Sequence, residues 1–214
     1  MLVRECMEHG VNINFGGPNE IKIAREISGT VVIEGEGVKQ ILDRKLPPEV
    51  QFKGKAVDAY VEEYTYEFAQ AQNDLPSDSN QKHPYTYMGR FIFPTDQIES
   101  LKAGIKFQQE NKIMSNRVQM TTWHAETDSY ASASPPCLQR IWIRWNADDN
   151  SLDIHLNWRS RDLFDAWTSN LIGIVWMINE YIAEPLGCRI GRLVDNFDSL
   201  HIYDYNWDVA KKIK

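Results

Sequence analysis

The stretch QRIWIRWNADDNSLDIHLNW, residues 139–158, decides the fold. Its first part sets Ile141 and Ile143 against Trp142 and Arg144 before Trp145, an alternation that gives a strand two different faces. ADDN, residues 147–150, is a cluster of turn formers, and Leu152, Ile154 and Leu156 then alternate again. The pattern predicts a β-hairpin. Downstream, from Leu163 to Ala183, the period changes: Phe164, Trp167, Leu171, Ile174, Ile178 and Ile182 follow one another by threes and fours. A helix so apolar belongs inside the molecule, and Pro185 with Gly187 should stop it. RIGRLVDNFDSLHIY, residues 189–203, reads as at least one more strand.

Upstream the signals are weaker. RVQMTTW, residues 117–123, is a strand candidate, and residues 95–112 form a helix with Thr95 as its predicted N-cap and Ile98, Leu101 and Ile105 on one stripe. NDLPSDSNQKHP, residues 73–84, is a polar loop. Residues 56–72 place Val57, Tyr60, Val61, Tyr64 and Phe68 on one face of a single helix, and residues 20–37 read as a pair of strands closed by glycines. The sum is an α+β fold, a mixed β-sheet packed against a long buried helix, in a single domain spanning 1–214.

The formal net charge of −7 argues against a nucleic-acid or anionic-membrane surface, although a few local arginines are enough for a small anion. The first ten residues hold no signal-peptide core, and no apolar run approaches the length of a membrane span. The three cysteines, Cys6, Cys137 and Cys188, are too far apart for a disulfide framework or a metal-ligand spacing, so no metal and a reducing, cytoplasmic compartment are expected.

Two segments carry chemistry. In SPPCLQRIWIRW, residues 134–145, Cys137 stands behind two prolines at the mouth of a strand. It is either a small hydrophobe filling the core or a nucleophile held still. In WRSRDLFDAWTSN, residues 158–170, an arginine beside a serine suits a phosphate, and Asp162 and Asn170 offer directional hydrogen bonds to a heterocycle. An Arg–Asp pair at such a place also serves as a surface ion pair or a helix cap.

PPC at 135–137, RSRD at 159–162, Asn170 eight residues after Asp162, and HIY at 201–203, in this order, resemble the signature of the thymidylate synthase family. YTYMGR at 85–90, DQIESLKAGIK at 96–106 and NRVQMTTW at 116–123 extend the likeness, which spans about residues 85–205. Residues 1–84 are not placed by it. The short chain is most similar to the archaeal-type members.

The resemblance implies a thymidylate-synthase-like sandwich and the family's chemistry. The Cys137 thiolate adds to C6 of dUMP. C5 then takes a one-carbon unit from a methylene-pterin, either 5,10-methylenetetrahydrofolate or a tetrahydromethanopterin analogue, and hydride transfer completes dTMP. It further implies that Arg159 and Ser160 hold the phosphate, Arg159 also lowering the thiol pKa. Asn170 reads the uracil edge, Asp162 accepts from the pterin, and His201 and Tyr203 bind the deoxyribose hydroxyl. Either Tyr85 or Tyr87 serves near the C5 proton. Arg117 matches an arginine that crosses to the phosphate of a second subunit, which implies a homodimer with shared sites. Cys6 and Cys188 are bystanders.

Several positions depart from the pattern: Leu138 for a common His, Trp158 for a common Gln, and Asn116 for the first of two arginines. Glu62 and Glu63 are alternative candidates for the catalytic carboxylate. The sequence given stops at DVAKKIK without the family's C-terminal lid, which keeps two alternatives open: a nucleotide hydroxymethylase on the same scaffold and a non-catalytic nucleotide-binding protein. Asn170 argues for uracil, because cytosine-specific relatives carry an acid there.

Overall fold

The computed structural model describes residues 1–17, 20–44, 57–128 and 135–213; Ala56, Ser134 and Lys214 of the segments above lie outside them. Its centre is the hairpin of β4 (Leu138–Asn146) and β5 (Ser151–Trp158). The register sets Ile141 against Leu156, Ile143 against Ile154 and Trp145 against Leu152, and all six side chains are buried. Trp142 and Arg144 take the opposite, partly exposed face, as a period of two requires.

Around this hairpin the sheet runs in the order β1-β2-β7-β5-β4-β3, with β1 at Val11–Gly17, β2 at Glu20–Glu34, β3 at Gln119–Thr121 and β7 at Arg189–Tyr203. A two-residue strand, β6 (Arg161–Asp162), also pairs with β7. The β5 and β6 pairings with β7 are parallel and the other pairings are antiparallel, so the sheet is mixed. The parallel β5–β7 pairing requires a crossover, and the long apolar segment supplies it as α7 (Trp167–Ile178), extended by a π-helical turn at Asn179–Ala183. Leu171, Ile172, Ile174, Val175, Met177 and Ile178 are all buried. The α+β fold with its buried helix is therefore present.

Four boundaries differ from the sequence reading, each for a local reason. α7 begins at Trp167 rather than Leu163, because one Asp162 carboxylate oxygen accepts from the backbone N–H groups of Phe164 and Asp165, both at 2.9 Å, and holds 163–166 in a turn. The helix expected over 56–72 is two helices, α3 (Val57–Glu62) and α4 (Tyr66–Asp74), broken where the Thr65 hydroxyl accepts from Phe68 N at 3.2 Å. Asp96, not Thr95, caps the helix at Gln97–Asn111 by accepting from Glu99 N at 3.0 Å. Residues 20–34 are one long strand rather than a pair; its partners are β1 and β7, and at the register shift between Ile27 and Gly29 the extra residue lies on β7. The expected stop after α7 is present: Gly187 adopts φ +64° and Cys188 N donates to Ala183 O at 2.9 Å.

The remaining helices are α1 at Leu2–His9, α2 at Glu36–Leu42, a short helix at Tyr87–Ile92 that carries Tyr87, and one at Trp207–Ala210. No described helix is long and apolar enough to cross a membrane.

Candidate active site

Cys137 sits one residue before β4, where the end of β5 turns toward it: Leu138 pairs with Trp158, and Arg159 N donates to Cys137 O at 3.0 Å. The Arg159 guanidinium then binds the loop that carries the thiol. Its Nε donates to Pro136 O at 3.0 Å and its Nη2 to Pro135 O at 2.6 Å, and Nη2 lies 3.8 Å from Cys137 Sγ. Two prolines have no N–H to offer, but their carbonyls accept well, and the arginine uses both. The thiol is a free, half-buried one.

Burial is the largest influence on the thiol and raises its pKa above the ordinary value; Arg159, the Ser160 hydroxyl and the Arg161 charge oppose it, and Asp162 adds to the rise. The charge of Arg159 thus acts in the expected direction but does not by itself bring the thiol below an ordinary one.

Both candidate tyrosines reach this loop. Burial raises Tyr85 and holds Tyr87 well above its ordinary range, and the nearby Cys137 adds to the rise in both. Their rings meet edge to face at 5.6 Å, and Tyr87 continues onto Trp158 at 5.8 Å. These two tyrosines also line a cleft of about 260 Å³, bounded further by Tyr60, Glu63, Tyr64 and Asn170. Asn170 reaches it from the second turn of α7, and its Oδ1 accepts from the Tyr64 hydroxyl at 3.1 Å. Of the two glutamates, Glu63 lines the cleft and Glu62 is exposed outside its lining. A larger cleft, about 560 Å³, lies beyond Tyr85 and shares Pro84, Tyr85 and Thr86 with the first.

The other residues are distributed more widely. Asp162 is partly buried, burial raises its pKa, and it spends one oxygen on the turn before α7. His201 is its register partner across β6 and β7, so the histidine lies beside the RSRD turn. It is 2% exposed, its pKa is pushed down to about 4 by burial, and its ring meets that of Tyr203 at 4.8 Å. Arg117 is exposed just before β3, outside the group around Cys137. Cys6 is on the buried face of α1, its pKa pushed up by burial to about 11, and Cys188 follows α7; neither borders the cleft.

Two neighbours of the site carried no distinct signal in the sequence. Tyr64 read only as one member of an apolar stripe, yet its hydroxyl sets the Asn170 amide. Arg161 read only as the variable position of RSRD, yet its guanidinium is buried and lies 3.7 Å from the centre of the Trp158 ring.

Comparison with known proteins gives the same family. The model of the family described as thymidylate synthase matches residues 55–213, which extends the likeness about thirty residues upstream of Tyr85. Three archaeal proteins, each named provisionally as a thymidylate synthase, are similar over most of their length. The one from Methanothermobacter marburgensis is 25% identical over 99% of this chain and 91% of its own. The one from Methanosarcina mazei is 25% identical over 86% of this chain and 84% of its own. The one from Methanococcoides burtonii is 27% identical over 67% and 64%. With the α+β sheet, the Pro-mounted thiol and the arginine beside it in place, the chain belongs to the thymidylate synthase family.

Proposed function

We propose that this protein makes dTMP by methylating dUMP at C5, with Cys137 as the nucleophile and a methylene-pterin as the second substrate. The observation that carries the reading is the 3.8 Å approach of Arg159 Nη2 to Cys137 Sγ, in a guanidinium tied to both proline carbonyls of the same loop. The thiolate is the nucleophilic form of cysteine, and a cation fixed beside the sulfur favours it. Addition to C6 puts negative charge on the pyrimidine, and the Asn170 amide faces the cleft where that ring would lie, with its carbonyl and amide ends set by Tyr64. Arg159 and Ser160 are the proposed phosphate contacts, and His201 and Tyr203 the proposed contacts to the sugar.

The aromatic walls of the cleft, Tyr60, Tyr64, Tyr85 and Tyr87, fit a flat heterocycle, and Asp162 beside the turn supplies a carboxylate for a pterin's amino groups. When bound, the pterin supplies the one-carbon unit and the hydride. The chain's part is to orient both rings, with Glu63 as the carboxylate placed to move a proton and Tyr85 or Tyr87 to receive one near C5. We further propose a homodimer in which Arg117 completes the phosphate site of the second subunit. Three free thiols support a reducing, cytoplasmic setting.

The test is intact-protein and peptide mass spectrometry after incubation with 5-fluoro-dUMP, with and without methylenetetrahydrofolate or its tetrahydromethanopterin counterpart. A pterin-dependent covalent adduct on Cys137, absent in Cys137→Ser, is expected. No adduct with either donor, or an adduct confined to Cys6 or Cys188, would remove the assignment.

A further inference from the structure

Arg161 is a cation in an apolar place. Its side chain is 1% exposed and that of its partner Asp195 is 0% exposed, at an N–O distance of 3.4 Å. The guanidinium lies against the Trp158 ring at 3.7 Å and donates from Nη2 to Trp167 O at 3.3 Å, while Trp167 Nε1 donates to Asp195 Oδ2 at 2.8 Å. Among the described residues, Arg161 Nε and Nη1 and Asp195 Oδ1 find no hydrogen-bond partner.

Such a pair is a poor way to stabilise a core. A buried ion pair with incomplete hydrogen bonding does not recover the cost of removing its charges from water, and apolar replacements of similar volume are often neutral or stabilising. An unsatisfied buried charge therefore calls for a reason other than stability.

The chain supplies one in where the charge is aimed. Arg161 stands two residues after Arg159 in the turn that binds the cysteine loop, and the ring it stacks on, Trp158, is the register partner of Leu138, the residue after Cys137. The charged and titratable groups that act on Cys137 come from each neighbouring element. Arg159 and Ser160 come from the turn after β5, Arg161 and Asp162 from β6, and Tyr85 and Tyr87 from the start of the helix at Tyr87–Ile92. Arg161 itself is faced by Asp195 from β7, Tyr64 from the turn after α3, Tyr87 and Cys137. The Arg161 charge favours the Cys137 thiolate, and the ring it stacks on abuts the residue after Cys137 in the neighbouring strand.

We propose that Arg161 is a positioning residue for the thiol chemistry: a permanent buried cation, stacked beneath Trp158, that lets the Cys137 thiolate form inside the fold once its proton has left to solvent. The guanidinium suits this because it stays charged where a lysine would tend to shed its proton. The inference deepens the proposed thymidylate synthase reading and rests on Cys137 being its nucleophile.

The measurement is the rate of iodoacetamide alkylation at Cys137 against pH, read by peptide mass spectrometry so that Cys6 and Cys188 are scored separately. It needs no turnover, so its failure is distinct from a failure to make dTMP. Arg161→Met combined with Asp195→Asn removes the pair without stranding either charge. The thiol pKa in this variant should rise by about one unit, and alkylation near pH 7.5 should fall by about tenfold. Arg161→Lys, which keeps a positive charge only in part at so buried a place, should show a smaller rise. An unchanged profile in a folded Arg161→Met/Asp195→Asn protein would overturn the proposal. Should that variant not fold, Arg161→Gln with Asp195→Asn is measured in the same way. If neither neutral pair folds, the charges serve the fold and the proposal falls.

Discussion

Asn170 reads a pyrimidine edge only if its amide cannot turn over, since uracil and cytosine differ by exchanging donor and acceptor at N3 and at position 4. The Tyr64 hydroxyl, donating to Asn170 Oδ1 at 3.1 Å, is the group that fixes the amide. In the proposed reading, the carbonyl keeps a second lone pair for uracil N3–H, and the NH₂ end is left for O4. Removing the hydroxyl frees the amide to flip and to suit cytosine as well. Tyr64→Phe is therefore expected to lower the ratio of kcat/KM for dUMP over dCMP by about tenfold, the worth of roughly one hydrogen bond. An unchanged ratio would mean that other groups hold Asn170. A second residue-scale effect concerns His201, whose pKa falls from 6.5 to about 4 on burial. A histidine kept neutral in the native state charges more readily when unfolded, so its contribution is complete above pH 6.5 and is lost as the pH falls toward 4. The displacement corresponds to roughly 3 kcal/mol for this 2%-exposed side chain. Urea unfolding should show stability falling across pH 6.5–4, and His201→Gln should flatten that part of the curve. A variant as steep as the parent would place the effect on the carboxylates instead.

The contact between the turn after α3 and α7 explains how Tyr64 comes to stand beside Asn170. Gly173, one helical turn beyond Asn170, leaves the Tyr64 ring lying against the α7 backbone: a Cβ there would fall 2.4 Å from Tyr64 Cε2 and 2.5 Å from Cδ2. Gly173→Ala should favour the isolated helix yet force the buried ring away. We expect a net loss of about 1–3 kcal/mol in chemical unfolding, together with the same relaxation of base choice as Tyr64→Phe. Full stability with full discrimination would show that the ring can yield. This contact also marks how far the sequence could be read. Strong periodicity made β4, β5, α7 and the stop at Gly187 legible, because buried strands and helices must repeat their apolar positions. Thr65, Asp96 and Asp162 shifted helix ends by a few residues, since a side chain one step away can take the backbone donors. In residues 20–34, alternation alone does not tell one long strand from two short ones, and only the tertiary partners β1 and β7 distinguish them. The motifs carried Cys137, Arg159 and Asn170 by name. Tyr64 and Arg161 were not legible as site residues, because their roles lie in contacts across more than thirty positions, Tyr64 with Asn170 and Arg161 with Asp195.

At the scale of the whole molecule, the two faces of the sheet differ. The register carries Ile143, Ile154, Leu193 and Ile33 across one face, where the first three are fully buried. One residue along each strand, Trp142, His155, Val194 and Val32 cross the other, and Val32 is 50% exposed. That outer row is flanked by the Arg144–Asp153 and Arg192–Glu34 ion pairs, which gives an apolar centre with a charged rim, the usual anatomy of a protein interface. Gln119 is the register partner of Trp142, and Arg117 stands two residues before it, at the edge of this face and away from the Cys137 loop of its own chain. If Arg117 serves the proposed phosphate site, it does so in a second copy, and a two-fold axis through the sheet face would bring each Arg117 to the other subunit. Complementation tests the arrangement. Arg117→Ala and Cys137→Ala chains should each be nearly inactive alone. When they are unfolded and refolded together, about half the dimers are mixed, and in each of these one site takes Cys137 from one chain and Arg117 from the other. The mixture should recover about a quarter of the parent activity, while the second site of each mixed dimer, carrying both defects, stays silent. If heterodimers form, as native mass spectrometry would show, and no activity returns, Arg117 and Cys137 do not meet across an interface and the shared-site dimer is excluded.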